Sequence, residues 1–296
     1  MSVSSLGPSA APASGEPDLS AGGAAIATSA ADKSLLALAE DVAREAGELL
    51  RNRPAHLQVT SKTTPTDAVT EMDAASERLI VGRLLEARPN DRIVGEEGAR
   101  HEGDESDADV VTWLVDPIDG TVNYLYSLPQ FAVSIAAQID GESVAGVVYD
   151  VMRDEIYAAA RGGGATCNGE PLRCTTQGEL ALSLIATGFA YAAETRRTQA
   201  AILATVLPAV RDIRRMGSAA LDICAVAAGR VDGYYEAGMH PWDWAAAALI
   251  ATEAGARVGG LHGRPPGAWT TLAANPDLFA ALEELLLAAG DAPGMA

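Results

Sequence analysis

The sequence predicts an α+β fold of layered sheets with helices packed between them. Three observations lead there. Apolar residues recur at helical spacing in several stretches. Short apolar runs bounded by glycine turns fall between those stretches. Helical and strand-like segments interleave along the whole chain instead of segregating. The chain has 296 residues, 48% of them hydrophobic, which is enough for one large or two small domains with a buried core.

Residues 1–31 are rich in Ser, Ala, Gly and Pro and read as a disordered tail. A helix is expected from about Ala31, with Asp32 or Ser34 as its cap and Leu35, Leu38, Val42, Ala46 and Leu49 at helical spacing. Lys62 to Thr70 is polar, contains Pro65 and reads as a loop or hairpin. A second amphipathic helix follows over Thr70–Ala87, with Met72, Ala75, Leu79, Ile80 and Leu84 on its apolar face. Strands are expected at Arg92–Val94, Val110–Val115, Phe131–Gln138, Val144–Val151 and Glu155–Ala160, with turns at Gly141 and Gly162–Gly164. Beyond them come a strand at Leu182–Thr187, helices at Thr195–Leu207 and Ala219–Ala228, and a strand at Val231–Glu236. A helix at Asp243–Glu253, a strand near Ala256–Val258 and a last helix at Pro276–Ala289 complete the order. The folded unit is expected over residues 32–290, with an α+β half to about 178 and an α/β half after it.

The formal net charge is -19, which repels nucleic acid and anionic membranes at long range, so neither is expected as a partner. Cys167, Cys174 and Cys224 form no CxxC pair, and an odd count speaks against a disulfide framework; reduced thiols in a cytoplasmic protein are expected. The four histidines show no zinc spacing. No long uncharged apolar run is present, and residues 1–31 lack the Lys or Arg that opens a secretory signal.

The chemistry concentrates in three clusters. Trp113-Leu114-Val115-Asp116-Pro117-Ile118-Asp119-Gly120-Thr121 runs an apolar strand into two aspartates three apart. Pro117 fixes one backbone angle and Gly120 allows a tight turn into a helix start. Carboxylates at a strand end suit hard cations such as magnesium, and amides at Gly120 and Thr121 suit phosphate oxygens. Taken alone, the motif reads more readily as a loop with two solvated aspartates and a turn glycine, since Asp and Gly are ordinary turn residues. Gly95-Glu96-Glu97-Gly98 reads as a solvated turn or as a metal ligand beside a water-orienting carboxylate. His240-Pro241-Trp242-Asp243 puts an acid at the start of a small-residue helix, where it is a simple N-cap or a ligand.

Together, in this order and spacing, G-E-E, W-L-V-D-P-I-D-G-T-V-N-Y and W-D-W-A-A-A-A-L-I-A-T-E-A-G resemble the inositol monophosphatase family, over roughly Leu35 to Leu285. Lys62–Asp73, Cys167-Asn168-Gly169, Gly217-Ser218-Ala219-Ala220 and Tyr234-Tyr235-Glu236 add to the likeness. The resemblance implies the α-β-α-β-α sandwich of the inositol monophosphatase and fructose-1,6-bisphosphatase type. It implies two or three magnesium ions on Glu96, Asp116, the Ile118 carbonyl, Asp119 and Asp243. Magnesium would also resolve how so acidic a chain accepts an anionic ester. Catalytic roles fall to Glu96, Thr121 and Asp73, with Asp73 polarising the Thr121 hydroxyl. Substrate contacts fall to Gly120, Thr121, Ser218, Ala219, Glu236 and Asp243, and Asn123 and Tyr124 either line the site wall or pack inside. His240-Pro241 ahead of Trp242 departs from many relatives but leaves Asp243 in register.

The implied reaction is hydrolysis of a small phosphorylated alcohol, inositol 1-phosphate first, by a lithium-sensitive homodimer. Histidinol phosphate hydrolysis and a fructose-1,6-bisphosphatase side activity use the same core. Val122-Asn123-Tyr124 after D-G-T departs from the Lys-Glu-Phe of relatives that cleave adenosine 3',5'-bisphosphate. The alternative from another class is a non-catalytic regulatory binding protein that keeps the fold.

Overall fold

The computed structural model describes residues 28–104 and 110–290. The expected tail lies outside them up to residue 27. The first helix, α1 (Ala30–Arg51), begins inside the stretch assigned to that tail. Its cap is Ser29, whose Oγ accepts from the Asp32 N–H at 2.9 Å. The caps expected from sequence, Asp32 and Ser34, lie within the helix.

Strands β1 (Val59–Ser61) and β2 (Ala68–Thr70) form a hairpin that leads into α2 (Glu71–Ala87). The large sheet contains β3 (Arg92–Gly95), β4 (Arg100–His101), β5 (Thr112–Asp119), β6 (Ala132–Ile139), β7 (Glu142–Asp150), β8 (Glu155–Ala160), β9 (Ala165–Cys167) and β10 (Glu170–Pro171). Their order is β10-β9-β8-β7-β6-β5-β3-β4. Every neighbouring pair is antiparallel except β3 and β5, which run parallel. A short helix, α3 (Thr121–Leu125), leaves the end of β5.

The second sheet holds β11 (Leu184–Thr187), β12 (Asp212–Arg214), β13 (Gly233–Glu236), β14 (Arg257–Gly259) and β15 (Thr271–Ala274), in the order β12-β11-β13-β15-β14. Helices α4 (Ala193–Val206), α5 (Ala219–Ala227), α6 (Pro241–Glu253) and α7 (Pro276–Gly290) interleave with it. Strand β11 starts two residues later than expected, because Leu180–Leu182 forms a 3-10 turn.

Burial sets the layers. On β5, Trp113 and Val115 join Leu35, Val42, Ile80 and Leu84 of α1 and α2 in one apolar cluster. Leu114, on the opposite face, joins α5 and α6 in a second cluster, which also takes Tyr234 and Ala273 of the smaller sheet. Ile185, Tyr235 and Leu272 face Phe279 and Leu282 of α7 in a third. The order is helices, large sheet, helices, small sheet, helices, the expected α-β-α-β-α sandwich. The alanines of α6 let it sit close to the large sheet: a Cβ on Gly146 of β7 would stand 2.8 Å from the Ala246 carbonyl oxygen.

Two glycines should respond oppositely to a side chain. Gly82, exposed within α2 with open space around its Cβ position, should gain about 1 kcal/mol on Gly82→Ala. Gly146→Val, forced against the α6 backbone, should lose about 1–3 kcal/mol. Urea unfolding of both variants measures this, and an unaffected Gly146→Val would contradict the close seat of α6.

Candidate active site

The parallel pairing of β3 with β5 makes their C-terminal ends emerge together. Gly95 pairs with Val115, and the Glu96 N–H donates to the Val115 carbonyl at 3.1 Å, so Glu96 and Asp116 leave neighbouring strands side by side. Beyond Asp116 the pairing with β6 shifts register as far as Asp119. Asp116 Oδ1 accepts from the Ile118 N–H at 3.0 Å and shapes this turn. Gly120 has φ 95°, the left-handed region that glycine occupies without steric penalty. A Cβ there would stand 3.0 Å from the Gln130 carbonyl oxygen. Thr121 then opens α3, its Oγ1 2.8 Å from Asp73 Oδ1 and 3.0 Å from the Ile118 carbonyl oxygen.

The other groups arrive from separate elements. Asp119 accepts from the Ser218 hydroxyl at 2.5 Å, the Ala220 N–H at 2.7 Å and the Ala219 N–H at 3.2 Å. It thereby sits on the N-terminus of α5, where the helix dipole favours a negative charge. Asp243 is the third residue of α6, not its N-cap: Pro241 opens the helix, and Asp243 Oδ2 accepts from the His240 N–H at 2.7 Å. Proline suits that first position, whose N–H would have no partner. Glu236 ends β13, where its Oε2 accepts from the Tyr234 hydroxyl at 2.7 Å. Gly188 backs directly onto Glu236, and a Cβ there would fall 1.9 Å from Oε2.

A cavity of about 450 Å³ collects these groups. Among its lining residues are Glu96, Asp116, Ile118, Asp119, Gly120, Thr121, Ser218, Ala219, Glu236 and Asp243. Of the residues expected to hold metal, act in catalysis or contact substrate, only Asp73 stays outside it. Asp73 is buried behind Thr121 and accepts from the Thr70 N–H at 2.8 Å and the Thr70 hydroxyl at 2.6 Å. Asn123 and Tyr124 do not line the cavity. Asn123 Nδ2 donates to the Gln130 and Met216 carbonyls, and the Tyr124 hydroxyl donates to the Leu50 carbonyl. A second cavity, of about 310 Å³, lies beyond Glu236 and is lined by Tyr235, Leu261, Trp269 and Leu286 among others. It lacks the acidic cluster, and chemistry selects the first.

Several site residues carry no signal by themselves in the sequence. Lys62 Nζ lies 2.8 Å from Glu96 Oε1 and 2.5 Å from Glu97 Oε1. Buried Glu77 accepts from the Glu97 and Ala99 N–H groups at 2.8 and 2.9 Å, which holds the turn that presents Glu96. Glu77 follows Asp73 by four residues on α2 and so shares its face, a spacing that could have singled it out. Gly188, Arg215 and Asp222 also line the cavity; nothing local marks them.

Seven Asp and Glu side chains line this cavity against the cations of Lys62 and Arg215. Burial pushes the Asp116 carboxyl well up, and the charges of Glu96, Asp119 and Asp243 add to that. Asp243 is raised likewise, first by burial and then by Glu96. Burial also raises Asp119, against the donors from Ser218 and Ala220. Glu97 is pushed up to about 7 by burial, with Lys62 opposing. As they stand, Asp116 Oδ1, Asp243 Oδ2 and both oxygens of Asp119 accept from protein donors. Among the described residues no three His, Cys, Asp or Glu side chains are gathered closely enough to hold a metal. The donor set itself, acidic and all oxygen, is of the type a hard divalent cation takes.

The profile of the inositol monophosphatase family matches residues 31–290. The inositol-1-monophosphatase of Mycobacterium bovis is 49% identical over 244 residues, 76% of this chain and 83% of that protein. The Nus factor SuhB of Pasteurella multocida is 43% identical over 234 residues, 77% of this chain and 86% of that protein. The solved structure of Mycobacterium tuberculosis SuhB superposes with a TM-score of 0.74 at 44% identity, covering 90% of this chain and 99% of that one.

Crowded, buried carboxylates should cost the protein stability. A group whose pKa is raised by folding destabilises the fold increasingly as pH climbs from its unfolded value through its folded one. Asp116→Asn should therefore stabilise the metal-free protein by about 1–3 kcal/mol at pH 8, and the gain should shrink as pH falls towards 4. Thermal melting in chelator across that range tests it; an equal gain at every pH would show that charge is not the cause.

Proposed function

The chain belongs to the inositol monophosphatase family, and on that premise we propose that this phosphatase hydrolyses inositol 1-phosphate to inositol and phosphate with magnesium. The observation that carries the reading is the convergence of Glu96, Asp116, Asp119 and Asp243, from three separated stretches, on one cavity with Glu236. The name of the Mycobacterium bovis relative supports the substrate.

An acidic cavity repels a phosphate ester unless cations stand between them. Glu96, Asp116, the Ile118 carbonyl, Asp119 and Asp243 are the groups that would hold magnesium, which when bound supplies charge neutralisation and water activation. The chain's own part is positioning, the main demand of phosphoryl transfer. The Thr121 hydroxyl has one proton, and both Asp73 Oδ1 and the Ile118 carbonyl accept it. Its oxygen lone pairs are thus directed into the cavity, where they accept from the attacking water. Asp73 acts through Thr121 and is a positioning residue. Glu96 is the carboxylate placed to take the water's proton. Glu236, seated between the Tyr234 hydroxyl and Gly188, accepts from a hydroxyl of the departing alcohol, and Ser218, Ala219 and Gly120 border the phosphate.

We further propose that the protein works in the cytoplasm as a homodimer. Among the described residues no helix is long and apolar enough to cross a membrane. A second reading, a regulatory protein that binds a partner, draws on the relative named Nus factor SuhB.

A phosphate-release panel with magnesium should favour inositol 1-phosphate over histidinol phosphate, fructose 1,6-bisphosphate and adenosine 3',5'-bisphosphate. Release from histidinol phosphate alone would overturn the substrate, and release from none would favour the binding protein. Asp116→Asn should lower turnover about 10²–10³-fold, and lithium should inhibit. Gly188→Ala, which drives a methyl into Glu236, should raise KM about tenfold with kcat little changed; an unaltered KM would remove Glu236 from the pocket wall.

A further inference from the structure

Asp222 lies on α5 four residues past the Ser218 cap. It lines the cavity although it is buried, and its Oδ1 has no hydrogen-bond partner. Its own helix offers it no donor. The Ala219 and Ala220 N–H groups serve Asp119, and the Leu221 N–H serves Ser218 Oγ. The Asp119 and Glu236 charges act against it, and only Arg215 opposes them among the groups that act on it most strongly. A buried carboxyl left in this state is destabilising, and a helix dipole would be served as well by an exposed acid. Asp222 therefore has a buried carboxyl oxygen without a hydrogen-bond partner and a place in the same cavity as Glu236.

We propose that Asp222 is a specificity-determining residue that reads a second hydroxyl of the leaving alcohol beside the one read by Glu236, a role that rests on the phosphatase reading above. The site then prefers phosphate esters of polyols to those of plain alcohols. A hydroxyl both donates and accepts, so it satisfies a carboxyl in either protonation state. A plain alkyl group leaves Asp222 unpaired and pays no part of its desolvation.

The test compares wild type, Asp222→Asn and Asp222→Leu on three esters with magnesium: inositol 1-phosphate, cyclohexyl phosphate and 2-aminoethyl phosphate. Asp222→Leu should cut the kcat/KM ratio of inositol 1-phosphate to cyclohexyl phosphate about tenfold, the loss of one hydrogen bond to a buried carboxyl. The change should lie in KM. Asp222→Asn should keep most of the preference, since an amide still bonds a hydroxyl. If the leucine variant does not fold, as thermal melting reports, Asp222→Ala removes the same acceptor without apolar bulk and is judged in the same way. Equal loss on both esters, an unchanged ratio, or the largest loss on 2-aminoethyl phosphate overturns the assignment. Wild type that turns over none of the three esters sinks the inositol 1-phosphate reading and Asp222 with it. Wild-type turnover with an unchanged ratio in the variants sinks only the role of Asp222.

Discussion

Like charges buried together repel, and the repulsion grows as water is excluded. That constraint shapes everything around the cavity. Four of the carboxylates there are given a donor where they stand: Asp116 the Ile118 N–H, Asp119 the start of α5, Asp243 the His240 N–H, Glu96 the Lys62 ammonium. Apart from Lys62 these donors are uncharged, so together they do not neutralise the cluster. They hold the oxygens in place while leaving the excess negative charge for a cation to offset. The rest of the protein stabilises this strained point from outside, through apolar layers on both faces of the large sheet.

The layering also decides which residues meet. In a sheet that is otherwise antiparallel, the single parallel pair β3–β5 sends two acid-bearing ends in the same direction. The helix layer between the sheets then brings two helix starts, those of α5 and α6, to that edge. Helix α2 supports from behind. Asp73 and Glu77 share one of its faces, the first fixing Thr121 and the second the turn of Glu96. Rotating α2 would disturb both, so the two positioning acids report on a single packing arrangement.

Glycine matters most where backbone meets a functional group. Gly120 permits a left-handed turn against the Gln130 carbonyl, and Gly188 leaves room for the Glu236 carboxylate. Both act by absence of a side chain, the same device that lets α6 approach β7 at Gly146. The alanine-rich composition follows the same logic in the layer between the sheets.

Local signals in the sequence sufficed for the layered class and for the long periodic helices, since hydrophobic spacing reports which face is buried before any partner is known. They sufficed too for the turn chemistry of Asp116-Pro117-Ile118-Asp119-Gly120, because proline and glycine restrict the backbone wherever they stand. Short strands such as Asp212–Arg214 and Thr271–Ala274 gave no such sign; a strand of three or four residues exists only through its neighbours. The first cap moved to Ser29, and Asn123 and Tyr124 turned inward, for the same reason: several local choices were available and packing selected one. The meeting of Glu96 with Asp116, the donors on Asp119 and the unpartnered Asp222 were decided by tertiary structure alone. Strand partners and helix docking join residues a hundred positions apart, and no short stretch of chain encodes a contact with so distant a partner.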